Sequence, residues 1–253
     1  MQVLSFVNKV LFRLGYRLIT RETGPSFDME ADFVEKYTNL KPYTLTSCER
    51  MYALYKAVEY IHKAQIPGDV VECGVWQGGS CMLVAQTLKQ LKAEDRKIYL
   101  YDTFEGMSAP TDKDIDRASS QQVQAILDST SKSTERFNFW AYAPLELVKK
   151  NMAATHYPMG KIQFVQGKVE DTIPGQLPKQ ISLLRLDTDW YESTKHELKH
   201  LYPLLSKGGV LIIDDYGHFK GAQQAVDEFF AEQGMCPYLA RIDYTCRVYI
   251  KNH

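Results

Sequence analysis

Four aspartates stand where two apolar, strand-like runs end. Asp187 and Asp189 follow one run, and Asp214 and Asp215 follow the other; the runs are residues 181–186 and 209–213. Runs this rich in Ile, Leu and Val are typical of buried strands in a parallel sheet. If the strands are neighbours, about 5 Å apart, the carboxylates converge, and like charges that close need a cation between them. The pattern predicts a divalent metal site in an enzyme, at the edge where open α/β sheets bind ligands.

A glycine-rich turn follows another apolar run, within residues 69–80. Gly74, Gly78 and Gly79 allow a ligand to approach the backbone closely, and Ser80 opens a predicted helix whose N–H groups suit an anion. The spacing differs from the G-x-G-x-x-G dinucleotide fingerprint. A plain strand-to-helix turn accounts for the same residues, so this segment alone leaves both interpretations open.

Asp102 ends the next apolar run, residues 97–101. A carboxylate about 20–30 residues after a glycine turn is placed to accept the ribose hydroxyls of a nucleotide. The alternative is that Asp102 caps a loop, which is less favoured because the acid terminates an apolar run.

Strand-like and helix-like stretches alternate along the chain. The strand-like runs lie near 69–73, 97–101, 161–166, 181–186 and 209–213, and helical stretches lie near 47–64, 79–92, 191–205 and 221–233. This alternation predicts an α/β fold with a doubly wound, mostly parallel sheet. Two short β-rich runs, 237–242 and 246–250, predict a C-terminal antiparallel hairpin at its edge.

Two segments stand outside the alternation. Residues 103–150 form a polar insertion with aromatic residues near its end, which suits either a lid or a flexible surface loop. Residues 3–18 predict a basic amphipathic helix, which more often packs on its own fold or a second subunit than on a membrane. We therefore divide the chain into a helical extension, 1–40, that acts as a lid or oligomer contact, and a catalytic domain, 41–253.

The bulk composition excludes several classes of protein. The net charge of −1 argues against nucleic-acid binding. Five cysteines without a C-x-x-C pair suggest neither a disulfide framework nor a thiol zinc site, so a reducing cytoplasm fits best. No apolar run approaches the roughly 20 residues that span a bilayer, and we expect a soluble protein with no integral membrane segment.

Four segments together resemble a known family, the macrocin O-methyltransferases, which methylate sugar hydroxyls of macrolide and aminocoumarin antibiotics. They are residues 67–80 (PGDVVECGVWQGGS), 101–107 (YDTFEGM), 184–194 (LRLDTDWYEST) and 208–218 (GGVLIIDDYGH). The likeness runs from about residue 40 to the C-terminus. It implies a seven-stranded, Rossmann-like class I methyltransferase fold with S-adenosylmethionine as methyl donor and Mg²⁺ as helper. It also implies a homo-oligomer, with a dimer favoured, and a small-molecule hydroxyl acceptor, a glycoside.

The resemblance assigns roles residue by residue. Asp189 would be the general base, and the metal ligands would be Asp187, Asp214 and Asp215. The donor-binding residues would be Glu72, Gly74, Trp76 and Ser80 at the methionine end, Asp102 at the ribose with Thr103 as a further contact, and Val169, Glu170 and Asp171 near adenine. An alcohol is a poor nucleophile, and a metal with a nearby carboxylate base would activate it.

Three more residues have two interpretations each. Arg50 matches an N-terminal family motif and either contacts the substrate or pairs with Glu72; we favour the pair. Trp190 and Tyr191 either shape the sugar pocket or pack in the core, and large aromatics after a strand more often pack.

Three other functions are compatible with parts of the sequence. A catechol-type O-methyltransferase shares the fold and the use of a metal ion to activate a hydroxyl. It usually carries other residues around the acid that corresponds to Asp187. A zinc hydrolase is suggested by H-E-x-x-H at His196 and His200. It is disfavoured because the leucines of that helix mark another face as buried, and no third zinc ligand stands out downstream. A non-catalytic nucleotide-binding protein is disfavoured because all four aspartates are present.

Overall fold

The computed structural model describes residues 24–135 and 138–252. The helix predicted over residues 3–18 lies outside the described residues, as do Arg136 and Phe137 of the insertion. No helix in the described ranges is long and apolar enough to cross a membrane.

Seven strands form one sheet in the order β3-β2-β1-β4-β5-β7-β6. The strands β1 to β5 pair in parallel, whereas β7 runs antiparallel to both β5 and β6. Their bounds are Asp69–Cys73 (β1), Ile98–Asp102 (β2), Ile162–Gln166 (β3), Ile181–Leu186 (β4), Leu205–Ile213 (β5), Ala240–Arg241 (β6) and Arg247–Ile250 (β7). The prediction of a mostly parallel sheet closed by an antiparallel hairpin is confirmed.

Helices connect and cover the strands. The α-helices of the described ranges are Ala31–Leu40 (α1), Cys48–Lys63 (α2), Gly79–Gln90 (α3), Val123–Asp128 (α4), Leu145–Ala153 (α5), Val169–Thr172 (α6), Tyr191–Leu201 (α7) and Lys220–Glu232 (α8). The helix predicted to reach residue 205 ends at Leu201 because Pro203 lies in a following 3₁₀ turn. The strand β5 begins earlier than predicted, since Leu205 pairs with Ile181 of β4.

Alternate residues of the strands face two separate cores. The helices α1, α2, α3 and α5 cover one face, where Val70, Leu183 and Val210 are buried. The helices α6, α7 and α8 cover the other, where Leu184 and Leu211 are buried. Strands that are apolar on both faces are the expected consequence of burial between two helical layers.

The register brings the functional strand ends to one place. Cys73 of β1 pairs with Leu186 of β4, and Leu186 pairs with Ile213 of β5. The pairing continues one residue further, because Asp187 N donates to the Cys73 carbonyl and Asp214 N donates to the Leu186 carbonyl, both at 2.9 Å. Asp187 and Asp214 are therefore neighbours, as their positions after buried strands predicted.

The insertion is held against this edge at several points. Asp114, which is fully buried, accepts a hydrogen bond from the Tyr191 N–H at the start of α7, at 2.8 Å. The Trp190 indole donates to the Ser108 carbonyl at 3.1 Å, and Asp116 forms a β-bridge with Phe219. These contacts dock the described part of the insertion beside the ends of β4 and β5.

Replacing Gly74 with Ala should destabilise the fold, because its Cβ would lie 1.9 Å from the Asp187 carbonyl oxygen. Its φ of +80° also costs an alanine about 1–2 kcal/mol. We expect the free energy of unfolding, measured by chemical denaturation, to fall by more than about 3 kcal/mol. The control Gly160→Ala, whose Cβ meets nothing within 4 Å, should change it by less than about 0.5 kcal/mol. Equal stabilities of the two variants would contradict this account.

Candidate functional site

One cavity of about 400 Å³ opens at the carboxyl edge of the sheet. Asp187, Asp189, Asp214 and Asp215, the four aspartates of the sequence prediction, all line this cavity. Two different walls flank them. One wall is the glycine turn after β1 with the ends of β2 and β3. The other combines the insertion with segments after β5 and before β7, through Met107, Phe139, His218, Phe219 and Tyr244. A cavity with few polar groups converging between apolar walls is typical of a small-molecule site.

Three of the aspartates form a compact oxygen cluster. Asp187, Asp214 and Asp215 each offer an oxygen atom, and these atoms all lie within 4.8 Å of one another. Asp189 shares a hydrogen bond with Asp215, so the fourth acid lies directly beside the cluster. The structure thus brings together all four residues that the sequence singled out.

The electrostatics of the cluster favour a bound cation. Burial, together with the neighbouring carboxylates, raises the pKa of Asp187 and Asp215 well above the usual range for aspartate. Burial raises the pKa of Asp189 to about 7, even though its hydrogen bond with Asp215 lowers it. Burial acts in the same direction on Asp214, but the charges of Arg185 and Arg50 outweigh it and lower the pKa of that carboxyl. A cation bound among these carboxylates would offset their mutual repulsion.

Two oxygen atoms in the cluster lack hydrogen-bond donors. Asp214 Oδ1 and Asp215 Oδ2 are buried and accept no hydrogen bond; Arg185 Nη2 lies 3.0 Å from Asp214 Oδ1 without pointing an N–H at it. Buried polar atoms are nearly always satisfied, so such orphans indicate a missing partner. An all-oxygen set of carboxylates is the donor set that Mg²⁺ prefers. The residues present therefore fit a magnesium ion.

The buried Glu72 does not pair with Arg50, and that prediction is wrong. Glu72 instead forms an ion pair with Arg185, which sequence reasoning missed. Arg50 pairs with Asp214, and its Nε lies 3.1 Å from Asp243 Oδ2. Arg50 still lines the cavity, but both of its ion pairs are internal to the protein.

The glycine turn is held open by Asp102. One carboxylate oxygen accepts hydrogen bonds from the N–H groups of Val75 and Trp76, at 2.6 and 3.2 Å, and the other accepts one from Phe104 at 2.6 Å. Trp76 and Phe104 have positive φ angles of 46° and 54°, which are strained for bulky residues. Asp102 thus fixes the turns after β1 and β2 relative to each other, and its loop-capping interpretation holds alongside any role toward a ligand.

The other predicted donor contacts mostly reach the cavity. Gly74, Trp76, Ser80, Thr103, Val169 and Glu170 line it, whereas Asp171 is exposed and does not. The hydroxyl of Thr103 is occupied by the Gly106 carbonyl, to which it donates at 2.7 Å. Helix α3 begins at Gly79, so its first N–H groups face the same end of the cavity as the glycine turn.

The zinc-protease pattern does not form a zinc site in the described part of the chain. Among those residues the metal-competent group of three ligands is the aspartate cluster, and neither His196 nor His200 belongs to it. His196 Nε2 lies 2.9 Å from the Ile173 carbonyl, and Glu197 accepts a hydrogen bond from the Thr188 hydroxyl at 2.9 Å. The histidines therefore lie on the sheet-covering helix α7, away from the cavity lining.

The two aromatic residues after Asp189 pack in the protein interior. Trp190 and Tyr191 are 2% and 4% exposed, and neither lines the cavity. Two residues of the wall on the insertion side, His218 and Tyr244, received no role from the sequence. His218 Nε2 lies 3.1 Å from Asp116 Oδ2, and its Nδ1 lies 3.3 Å from the Tyr244 hydroxyl. These side chains come from three distant segments, and only His218 lay within a recognised motif.

The family model described as Macrocin-O-methyltransferase (TylF) matches residues 23–251, nearly the whole chain. The chain belongs to this family. It is therefore an S-adenosylmethionine-dependent O-methyltransferase with the class I methyltransferase fold.

Curated relatives from the macrocin O-methyltransferase family extend this assignment. The chain is 32% identical over 205 residues to a mycinamicin III 3''-O-methyltransferase of Micromonospora griseorubida, covering 79% of this chain and 75% of that protein. It is 31% identical over 252 residues to an 8-demethyl-8-(2,3-dimethoxy-α-L-rhamnosyl)-tetracenomycin-C 4'-O-methyltransferase of Streptomyces olivaceus, covering 96% and 89%. The solved structure of the O-methyltransferase NovP superposes with a TM-score of 0.72 at 25% identity, covering 100% of this chain and 99% of that one.

Replacing Asp102 with Asn should loosen the methyltransferase's two strained turns. Asparagine has one acceptor oxygen and an NH₂ group that cannot accept, so at least one backbone N–H loses its partner. We expect the free energy of unfolding to fall by about 1–3 kcal/mol, with faster amide hydrogen exchange at Val75, Trp76 or Phe104. Asp112→Asn, at an exposed position of the insertion, is the matched control. Unchanged exchange at those three amides would show that Asp102 does not hold the turns.

Proposed function

We propose that this protein transfers a methyl group from S-adenosylmethionine to a sugar hydroxyl of a glycosylated natural product, with Mg²⁺ held by Asp187, Asp214 and Asp215. The observation that carries the proposal is the convergence of these three carboxylates in the same cavity as the glycine turn. A donor-type turn and an acidic cluster in one cavity suit a reaction that joins a methyl donor to an activated hydroxyl.

The donor fits the wall formed by the ends of β1, β2 and β3. Glu72, Gly74, Trp76 and Ser80 would contact its methionine end, where the N-terminus of α3 suits a carboxylate. Asp102 and Thr103 would lie by the ribose, and Val169 and Glu170, in the turn after β3, would lie by the adenine. Asp171 drops out of this set because its side chain is outside the cavity lining.

The backbone hydrogen bonds that Asp102 accepts limit how many hydrogen bonds it can accept from the donor. One of its oxygens accepts from both Val75 and Trp76, and the other accepts from Phe104. A carboxylate oxygen has two acceptor sites, so the second oxygen keeps one site for a ribose hydroxyl. Asp102 would then act twice, by shaping the turns and by accepting from the donor.

The metal would supply Lewis-acid stabilisation of negative charge on the acceptor oxygen. The protein's contribution is to hold three carboxylates close together before the cation binds. Asp187 and Asp214 directly follow the ends of β4 and β5, and Asp215 is the next residue along the chain. Arg185 and Arg50 limit their mutual repulsion. Two buried oxygens without donors would be satisfied by the ion.

Asp189 is the proposed general base. It projects from the turn after β4 with a φ of +69°, a left-handed conformation that an aspartate tolerates better than most residues. This turn aims the carboxylate at Asp215, on the edge of the cluster. A carboxylate in that place can accept the hydroxyl proton as the methyl group is transferred.

The acceptor fits the remaining wall. Relatives of this chain are named for methylation of mycinamicin III and of a rhamnosyl tetracenomycin, both at sugar positions. His218 and Tyr244 offer polar groups beside the cluster, and Phe139 and Phe219 offer apolar surface. Such a mixture suits a sugar ring with one polar edge and one apolar face.

The insertion and the N-terminal extension complete the proposal. We assign the insertion, 103–150, a lid role on the acceptor side, which its anchors at Ser108, Asp114 and Asp116 support. The extension, 1–40, would contribute to a homodimer through the amphipathic sequence of residues 3–18, because α1 at its end already packs in the core of the fold. The five cysteines, all free thiols here, support a cytoplasmic location. Light scattering of the full chain tests the dimer.

Asp189→Asn should separate binding from chemistry. The amide keeps the size of the side chain but cannot take a proton, so methyl transfer should fall by about 10²–10⁴-fold. Affinities for S-adenosylmethionine and Mn²⁺, measured by calorimetry, should stay within about threefold. Turnover like that of the wild type would remove Asp189 from the role of base.

The paired replacement of Asp214 and Asp215 by Ala should abolish Mg²⁺-dependent transfer, since two of three ligands are lost. In the wild-type protein, a chelator should stop the reaction and added Mg²⁺ should restore it. Donor affinity in the double variant should persist, because the glycine turn is untouched. Full wild-type activity in the presence of chelator would exclude the metal while leaving methyl transfer itself intact.

The acceptor class is tested by a methyl-transfer screen with radiolabelled S-adenosylmethionine. Macrolide, aminocoumarin and anthracycline-type glycosides should be compared with their aglycones and with catechols, each with and without Mg²⁺. We expect product from glycosides and none from the matching aglycones. Transfer to catechols alone would replace the sugar acceptor by a catechol-type one.

A further inference from the structure

Arg185 is a buried arginine near the carboxyl end of β4, next to the acidic cluster, and only 2% of it is exposed. Its Nη1 contacts Glu72 and lies 2.7 Å from Asp187 Oδ2. Its Nη2 lies 3.0 Å from Asp214 Oδ1 and donates to Thr46 Oγ1 at 3.1 Å. One guanidinium therefore touches two proposed metal ligands and a residue of the donor wall.

The sheet register leaves this side chain no other place. Arg185 lies beside Glu72 of β1 on one side and Ile212 of β5 on the other. Side chains two residues apart on a strand point to the same face, so Asp187 and Asp214 lie one step further along the face of Arg185 and Ile212. A buried arginine there must find carboxylates, and these are the ones within reach.

We propose that Arg185 is a positioning residue for the metal site. Its two ion-pair contacts, Nη1 with Asp187 Oδ2 and Nη2 with Asp214 Oδ1, hold the two carboxylates next to each other, so that both present an oxygen to the same cation. The inference rests on the proposed function, because it presupposes the metal. The planar fork is essential to this role, since a lysine ammonium is a single point of charge that cannot hold both carboxylates in defined orientations.

A role in charge balance alone makes the opposite prediction. A cation beside the ligands repels a metal ion and competes with it for the carboxylates. If Arg185 only offset charge, lysine would serve equally well, and a neutral residue would tighten metal binding. If Arg185 positions the ligands, both replacements weaken metal binding. The sign of the change therefore separates the two roles.

The experiment measures Mn²⁺ binding to Arg185→Lys by electron paramagnetic resonance of the free ion, with no acceptor present. We expect an affinity at least about tenfold weaker than that of the wild type, the size typical of lost outer-shell partners of a metal site. Affinity for S-adenosylmethionine, measured by calorimetry, should remain within about threefold, because lysine still neutralises Glu72. A general loss of structure would instead reduce both affinities and the unfolding temperature together.

Arg96→Lys is the matched control. Arg96 is a half-buried arginine at the opposite end of the sheet, where it donates to the Ile66 carbonyl at 2.7 Å and to Ser182 Oγ at 2.9 Å. Its replacement removes a similar guanidinium fork far from the aspartates. Mn²⁺ affinity should be unchanged in this variant, and an equal loss there would overturn the specific role of Arg185.

A second variant keeps the proposal testable if Arg185→Lys does not fold. The pair Glu72→Gln with Arg185→Met leaves no charged Glu72 unpaired, and removal of a whole buried pair is often tolerated. Weaker Mn²⁺ binding supports positioning, whereas equal or tighter binding in either variant overturns it. If the wild-type chain itself binds no Mn²⁺, the proposed metal dependence fails and this inference fails with it. If the wild-type chain binds Mn²⁺ and the variant binds it equally well, the positioning role of Arg185 is excluded while the proposed metal site stands.

Discussion

The concentration of negative charge at the carboxyl edge of the sheet is the constraint on which the rest of the site depends. Two arginines, Arg50 and Arg185, face six carboxylates: Glu72, Asp187, Asp189, Asp214, Asp215 and Asp243. Buried carboxylates that close together are costly unless they are paired. The arginines satisfy part of that demand, and the surplus is what makes the site suited to a divalent cation. Stability and function are therefore linked through the same charges.

The C-terminal hairpin contributes more than an edge to the sheet. Asp243, in the turn between β6 and β7, accepts hydrogen bonds from the backbone of Thr245 and Cys246 at 2.9 Å each. Its other oxygen lies against Arg50 and accepts a hydrogen bond from Ser47 at the start of α2. Because Arg50 also holds Asp214, a chain of contacts joins helix, hairpin and proposed metal ligand.

Three residues with positive φ angles lie at the same edge. They are Trp76, Phe104 and Asp189; Trp76 and Asp189 line the cavity, and Phe104 is buried and follows Thr103, which also lines it. Strained residues persist only where their surroundings hold them. Here Asp102 bonds to the turns containing Trp76 and Phe104, and the close packing of Gly74 on the Asp187 carbonyl fixes the turn after β4. The edge is thus rigid before any ligand binds, which suits a site that must place two reactants.

The sequence by itself determined the alternation of strands and helices, the antiparallel hairpin and the convergence of the four aspartates. It could do so because local patterns of apolar and acidic residues indicate which strands are buried and where they end. It did not determine the partners of Arg50, Arg185 and Glu72, or the wall made by His218 and Tyr244. Those contacts depend on strand order and on segments that are far apart in the chain. A charged residue inside an apolar strand indicates that an oppositely charged partner must lie nearby. Only the tertiary structure decides which carboxylate is close enough to be that partner.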